Sequence, residues 1–205
     1  PTVSTSREHT MPKTEINAQD ILCYDDYVEV RKQHKQQLLQ HKKYRRVEIG
    51  PVACCYFESY QTMLHQIQEM LYIEKGGDEQ LVDELAAYNP MIPKGSDLAC
   101  TVMFEIDDEI RRHHFLARLG GVEETMFFRF GEHEVVGVPE DDVDRTTADG
   151  KASSVQFLHF NFAAEQIDAF KQAEQIVLGF KHAEYSHMVV LRPETQAALS
   201  QDFSA

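Results

Sequence analysis

Arg46-Val47-Glu48-Ile49-Gly50-Pro51-Val52-Ala53-Cys54-Cys55-Tyr56-Phe57 and the segment after it, Glu58-Ser59-Tyr60-Gln61-Thr62-Met63-Leu64-His65-Gln66-Ile67-Gln68-Glu69-Met70-Leu71, decide the fold class. Arg46 to Ile49 alternates polar with apolar and is stopped by Gly50-Pro51, so it reads as a strand and a turn. Residues 52–57 read as a second strand. The period then changes. At about 100° per residue, Met63, Leu64, Ile67, Met70 and Leu71 form one apolar stripe of a helix running from Phe57 to its stop at Lys75-Gly76-Gly77. Glu58, Thr62, His65 and Glu69 fall in a row opposite that stripe.

The same mixture continues on both sides. Residues 25–44 read as a largely exposed helix, acidic at its start and basic at its end, as the helix dipole favours. Asp78 is expected to cap a helix over 79–88, and Asp107-Asp108 one that runs to Leu119. Strands are expected at 98–106, 125–130, 134–138, 154–162, 175–180 and 187–191, with Gly131-Glu132-His133 as a hairpin signal. In the strand at 154–162, Val155, Phe157, His159 and Asn161 share one face, and Gln156, Leu158, Phe160 and Phe162 the other. A short helix follows at 163–172, and Pro193 opens the last one. No regular βαβ repeat or Gly-rich phosphate fingerprint is present. The pattern predicts an α+β fold, a mostly antiparallel sheet with helices packed on it.

The chain has 205 residues, 42% hydrophobic and 26% charged, which suits a single domain over 16–205. Residues 1–15 read as a disordered extension or remnant outside it, without the apolar centre of a signal peptide. A net charge of −14 argues against sequence-independent nucleic-acid binding and against an anionic membrane surface. No apolar run approaches the roughly 18 residues of a membrane span. Cys23, Cys54, Cys55 and Cys100 show no C-x-x-C spacing and read as free thiols of a cytoplasmic protein.

Two places suggest chemistry. In the helix row, His65 and Glu69 are four apart and can face one ion. Glu58 lies about two turns earlier, roughly 10 Å away. The row equally describes a solvated face. His159, in the apolar run Phe157-Leu158-His159-Phe160, is the candidate third ligand for a divalent metal with Glu58 and Glu69. It also reads as a hydrogen-bonded core histidine. The second place is the run 145–154, where Arg145, Lys151, Ser153 and Ser154 can present cations, hydroxyls and backbone N–H groups to a small anion or nucleotide. It lacks the spacing of a Walker A loop.

The chain resembles a known family through many pieces in order. They are Arg46-Val47-Glu48-Ile49-Gly50, Phe57-Glu58 with Thr62, Gln66-Ile67-Gln68-Glu69-Met70-Leu71 with Glu74, and Asp83-Glu84-Leu85-Ala86-Ala87-Tyr88-Asn89-Pro90. Phe104-Glu105-Ile106-Asp107, Leu119-Gly120-Gly121-Val122-Glu123 and Gly150-Lys151-Ala152-Ser153-Ser154-Val155 follow. Together they resemble the bacterial family catalogued as domain of unknown function 3501. That resemblance implies no activity. It implies a setting, because family members are often encoded beside rubrerythrin-like proteins and iron–sulfur oxidoreductase subunits. Carried over by motif, it points to Glu58, Gln66, Glu69 and Glu74 as one functional surface, and to Arg145, Lys151 and Ser153. His65 and Gln156 depart from the expected pattern. Three expectations result: an accessory protein of a redox or peroxide-stress system with a redox-type partner, a non-haem-iron-type enzyme using Glu58 and Glu69, and an anion-binding module at 145–154.

Overall fold

The structure is a computed structural model that describes residues 12–140 and 146–204. In chain order the elements are α1 (Tyr24–Lys42), β1 (Arg46–Ile49), β2 (Ala53–Phe57), α2 (Tyr60–Glu74), α3 (Gly77–Tyr88), β3 (Asp97–Phe104) and α4 (Glu109–Leu116). Then come β4 (Met126–Phe130), β5 (His133–Val136), β6 (Val138–Pro139), β7 (Val155–Asn161), α5 (Ala164–Gln172), β8 (Val177–Phe180), β9 (Met188–Val190) and α6 (Pro193–Ser200). Among the described residues the strands form two antiparallel sheets, ordered β1-β2-β3-β7-β6 and β5-β4-β8-β9. The fold is α+β, as the sequence predicts, with two sheets where one was expected.

The hairpin forms as read, with Val47 opposite Cys55 and Ile49 opposite Ala53. Gly50 turns at φ +71°, and a Cβ there would lie 2.5 Å from the His187 ring. Both torsion and space therefore require glycine. Tyr185 ties the turn down: its buried hydroxyl donates to the Ile49 carbonyl at 2.5 Å and accepts the Ala53 N–H at 3.0 Å.

The main core lies between the two sheets. Cys55, Phe57, Leu98, Cys100, Leu158 and Phe160 face Met126, Phe128, Leu178 and Phe180 across it. Phe128 packs edge-on to Phe160 at 4.7 Å and to Phe170 at 5.7 Å. Each such ring contributes roughly 1.5–3 kcal/mol by burial. A smaller core joins α2 to the outer face of the five-stranded sheet through Met63, Ile67, Ile92 and Ala99. Cys54 and Cys55 point to opposite faces, and burial pushes the Cys55 thiol up. Cys23 is exposed, unlike the other three free cysteines.

The chain ahead of α1 is held by side-chain amides. Asn89 accepts the Ile16 N–H at 2.8 Å and donates to the Ile16 carbonyl at 2.9 Å. Gln68 does the same to Leu22, at 3.0 Å each way. Each amide occupies the place a neighbouring strand would take.

Several element ends differ from expectation. The predicted strand 134–138 is two strands: β5 pairs with β4, while Val138 pairs with His159 in the other sheet. The chain changes sheets at Gly137, where a Cβ would press on the Phe160 ring at 3.1 Å. Helix α4 ends at Leu116, not Leu119, which lets Leu119 enter the core. Asp108 caps it through the Arg111 N–H at 2.7 Å, but Asp78 makes no cap bond to α3. Helix α2 is stopped by Lys75 itself in the left-handed conformation, φ +57°, and not by the glycines after it.

Candidate functional site

Glu58 precedes α2 and does not belong to it. Its N–H donates to the Ala99 carbonyl at 2.8 Å, extending the β2–β3 ladder by one residue. Ser59, with φ −155° and ψ 172°, is the N-cap, and its capping box with Thr62 starts the helix. Because the backbone is still extended at 58 and 59, helical spacing does not carry Glu58 into line with His65 and Glu69. The Glu58 carboxyl is 8% exposed. It accepts the Thr62 hydroxyl at 2.6 Å on one oxygen and the Thr101 hydroxyl at 2.8 Å on the other.

A polar knot surrounds this start of α2. The His41 Nε2 lies 2.8 Å from the Ser59 hydroxyl. Burial first, then the charges of Arg45 and Lys42, push His41 down to about 4. Arg45, 3% exposed, holds Asp202 with two bonds of 2.7 and 2.8 Å and donates to the Ala198 and Glu58 carbonyls. Burial raises the Asp202 carboxyl despite that partner.

The four helix residues expected to share one surface point in different directions. Glu69 faces α1, where it accepts Tyr27 at 2.6 Å, two bonds from Arg31 at 2.8 and 2.9 Å, and Lys35 at 3.1 Å. These partners, Arg31 foremost, hold its carboxyl near 2. Gln66 faces α3 and donates to the Tyr88 hydroxyl at 3.3 Å. Glu74 accepts Gln80 at 3.0 Å at the α2–α3 turn. Glu58, Glu69 and His159 therefore do not meet. Among the described residues no group of three or more His, Cys, Asp or Glu is placed to hold a metal ion.

His159 stands between two carboxyls, 2.6 Å from Glu140 and 3.7 Å from Asp97. Asp97 and then Glu140 raise its pKa against the opposing effect of burial. In the second predicted site, Arg145 lies outside the described residues. The rest is a tight turn whose polar groups bond within it and to its neighbours, the Thr146 hydroxyl donating to Glu123 at 2.7 Å. Thr147 donates its N–H to the Lys151 carbonyl at 2.8 Å, and the Ser153 hydroxyl accepts the Val155 N–H at 3.2 Å. The Ser154 carbonyl accepts the Phe104 N–H at 2.8 Å. The Lys151 ammonium has no partner among the described residues.

The concave surface lies elsewhere. A cleft of about 310 Å³ between α1 and α2 is lined by His34, His41, His65, Gln37, Gln61 and Leu64 among others. Among the described residues the rings of His34 and His65 have no hydrogen-bond partner. Sequence reading did not single out His34 and His41, although their spacing of seven places them on one side of α1. Beyond the Leu22–Gln68 clamp a second cleft of about 560 Å³ opens, walled by Tyr24, Tyr27 and Tyr72.

Helix α1 is itself unusual. Only Tyr27 of its side chains is buried. Its other attachments include the Glu69 cluster, the Arg31 guanidinium over the Tyr72 ring at 4.3 Å, and Tyr24 stacked on that ring at 5.4 Å. Seven of the 20 Lys and Arg but only three of the 34 Asp and Glu fall within 24–46; Arg45 is buried against Asp202, and exposed Lys32, Lys42 and Lys43 make the later part of this ridge basic in an acidic chain. Val28 and Leu39 are 46% and 68% exposed, and with exposed Lys32 they share one side of the helix.

Comparison with known proteins adds a family and a fold. The profile of a family described as "Protein of unknown function (DUF3501)" matches residues 15–203. The chain is also similar to a crystal structure described as a novel protein of unknown function from Burkholderia pseudomallei K96243. The two are 32% identical with a TM-score of 0.85, over 92% of this chain and 99% of that one. No curated protein matches. Among the described residues no helix is long and apolar enough to cross a membrane.

Proposed function

The chain belongs to the DUF3501 family of proteins of unknown function, and on that premise we propose that it is a cytoplasmic accessory protein of a bacterial redox or peroxide-stress system. It docks on an iron–sulfur or rubrerythrin-like partner and does so through α1. The observation that carries this reading is the outer side of α1. It shows Val28, Lys32 and Leu39 to solvent on a basic ridge, fixed below by one buried ring and a polar seam. Asp25 sits one turn before Val28, but Leu39 lies among Lys32, Lys35, Lys42 and Lys43, and an apolar side chain among cations suits an acidic surface. The carboxyls expected to do chemistry are already engaged: Glu58 by two hydroxyls, Glu69 by Tyr27, Arg31 and Lys35.

The test is capture of the partner by the tagged protein from its own host, read by the visible absorbance of the bound iron protein. The wild type is expected to retain an iron–sulfur or rubrerythrin-like protein, and Lys32→Glu with Leu39→Ser to lose it while keeping a native circular dichroism spectrum. Repeated capture of no iron protein, or capture indifferent to the double change, sinks the reading.

A further inference from the structure

Strands β1 and β9 are outer strands, one from each sheet, on the same flank of the molecule. Along an antiparallel strand, hydrogen-bonded and free residues alternate. On β1 the bonds to β2 fall at Arg45, Val47 and Ile49; the Arg45 carbonyl accepts the Phe57 N–H at 2.8 Å. The N–H and C=O groups of Arg46 and Glu48 therefore point to the open side. On β9 the bonds to β8 fall at His187, Val189 and Leu191; the His187 carbonyl accepts the Phe180 N–H at 2.9 Å, and the Leu191 N–H reaches the Ile176 carbonyl at 2.8 Å. The backbone of Met188 and Val190 is thus free as well. Among the described residues no backbone hydrogen bond joins the two strands.

The two free edges flank a groove of about 360 Å³. Gly50 and His187 touch at one end, and the other end opens toward Arg192. Lys43, Arg46 and Arg192 line it. Glu48 is the acidic group among its described lining residues, and Arg46 holds that carboxyl at 2.8 Å. Charged side chains commonly blunt an exposed edge. Strand β9 carries none, and leaves Met188 and Val190 50% and 49% exposed.

We infer that this groove is a strand-addition site for an extended acidic segment of a partner protein. Backbone pairing to the free edge of β9 supplies affinity, and Lys43 and Arg192 select carboxylates on alternate residues, Arg46 being held by Glu48 and Glu105. The inference deepens the accessory reading and rests on it, because α1 ends at Lys42 and its basic ridge runs through Lys43 into the groove.

The probe is a fluorescent acetyl-(Glu-Val)3-amide peptide, followed by anisotropy with the full chain. Saturable binding is expected. N-methylation of alternate peptide amides keeps the charge but removes strand pairing, and is expected to weaken binding at least about tenfold. Val190→Pro deletes an edge N–H where proline is tolerated. That change and Arg192→Glu are each expected to weaken binding by about the same factor. No binding, equal binding of the N-methylated peptide, or equal binding of (Lys-Val)3 overturns the site. A wild-type dimer in sedimentation that Val190→Pro dissolves also overturns it, by making a second copy the occupant. Peptide failure with partner capture intact refutes the groove alone. Peptide binding without partner capture refutes the accessory reading alone.

Discussion

Glu58 is the residue on which the reading of the outer sheet face turns. Its carboxyl is buried, and among the described residues no cation lies within ion-pair distance, so two threonine hydroxyls carry its hydrogen bonding. Thr101→Val keeps the shape and leaves one carboxyl oxygen without its donor. An unsatisfied buried acceptor costs roughly 1–3 kcal/mol. Urea unfolding is expected to show that loss for Thr101→Val and less than half of it for Thr101→Ser. Equal losses would mean that the hydroxyl is not what holds Glu58. Sequence alone marked Glu58 as a position of interest but assigned it the wrong company. The helical wheel was applied one turn too early, across an extended N-cap. By contrast, the alternation in Phe157-Leu158-His159-Phe160 placed His159 correctly on the opposite face from Leu158, because strand geometry needs no knowledge of partners.

The helices α1, α2 and α3 divide the predicted functional row among them. Glu69 was legible as a polar position opposite the stripe. That α1 would lie there was not, since α1 offers only Tyr27 as a buried contact and its periodicity is correspondingly faint. The end of α2 shows a similar limit. Gly76-Gly77 signals a stop, yet Lys75 takes the left-handed place, with its ammonium 5.0 Å from the centre of the Tyr24 ring. A non-glycine residue there is strained by about 1 kcal/mol. Lys75→Gly is therefore expected to raise stability by up to about 1 kcal/mol in thermal unfolding, less the lost ring contact. A clear fall in Tm would show that the Lys75–Tyr24 contact outweighs the torsion.

At the scale of the whole molecule, the antiparallel α+β character was legible and the division into two sheets was not. Nothing local tells Val138 to leave β5 and pair with His159. At the crossing, Gly137 leaves room for the Phe160 ring, a long-range contact that local sequence does not announce. The ionisable groups that tie elements together also set how stability responds to acid. Glu69, near 2 when folded against an ordinary 4.5, contributes fully above about pH 4.5 and loses its contribution as pH falls toward 2. His41, near 4 against 6.5, is favoured neutral; its contribution is complete above 6.5 and lost between there and about 4. His159, raised, acts in the other sense: its contribution is present below 6.5 and fades as pH climbs through its folded value. Urea titrations across pH are expected to fall in two acid stages, with Glu69→Gln shrinking the lower one, which Asp20 and Glu134 share, and His41→Gln the upper, which His65 shares. A lower stage undiminished by Glu69→Gln would exclude Glu69 as a source. The amide clamps at Ile16 and Leu22 have a further, mechanical consequence. Each fixes the leading segment by a single side chain instead of a ladder, so tension applied from that end meets these catches and the buried Ile16, then the Tyr27 and Glu69 anchorage of α1, before it reaches the sheets. Such a load peels the leader off stepwise and leaves the sandwiched aromatic core unloaded until all of these have let go.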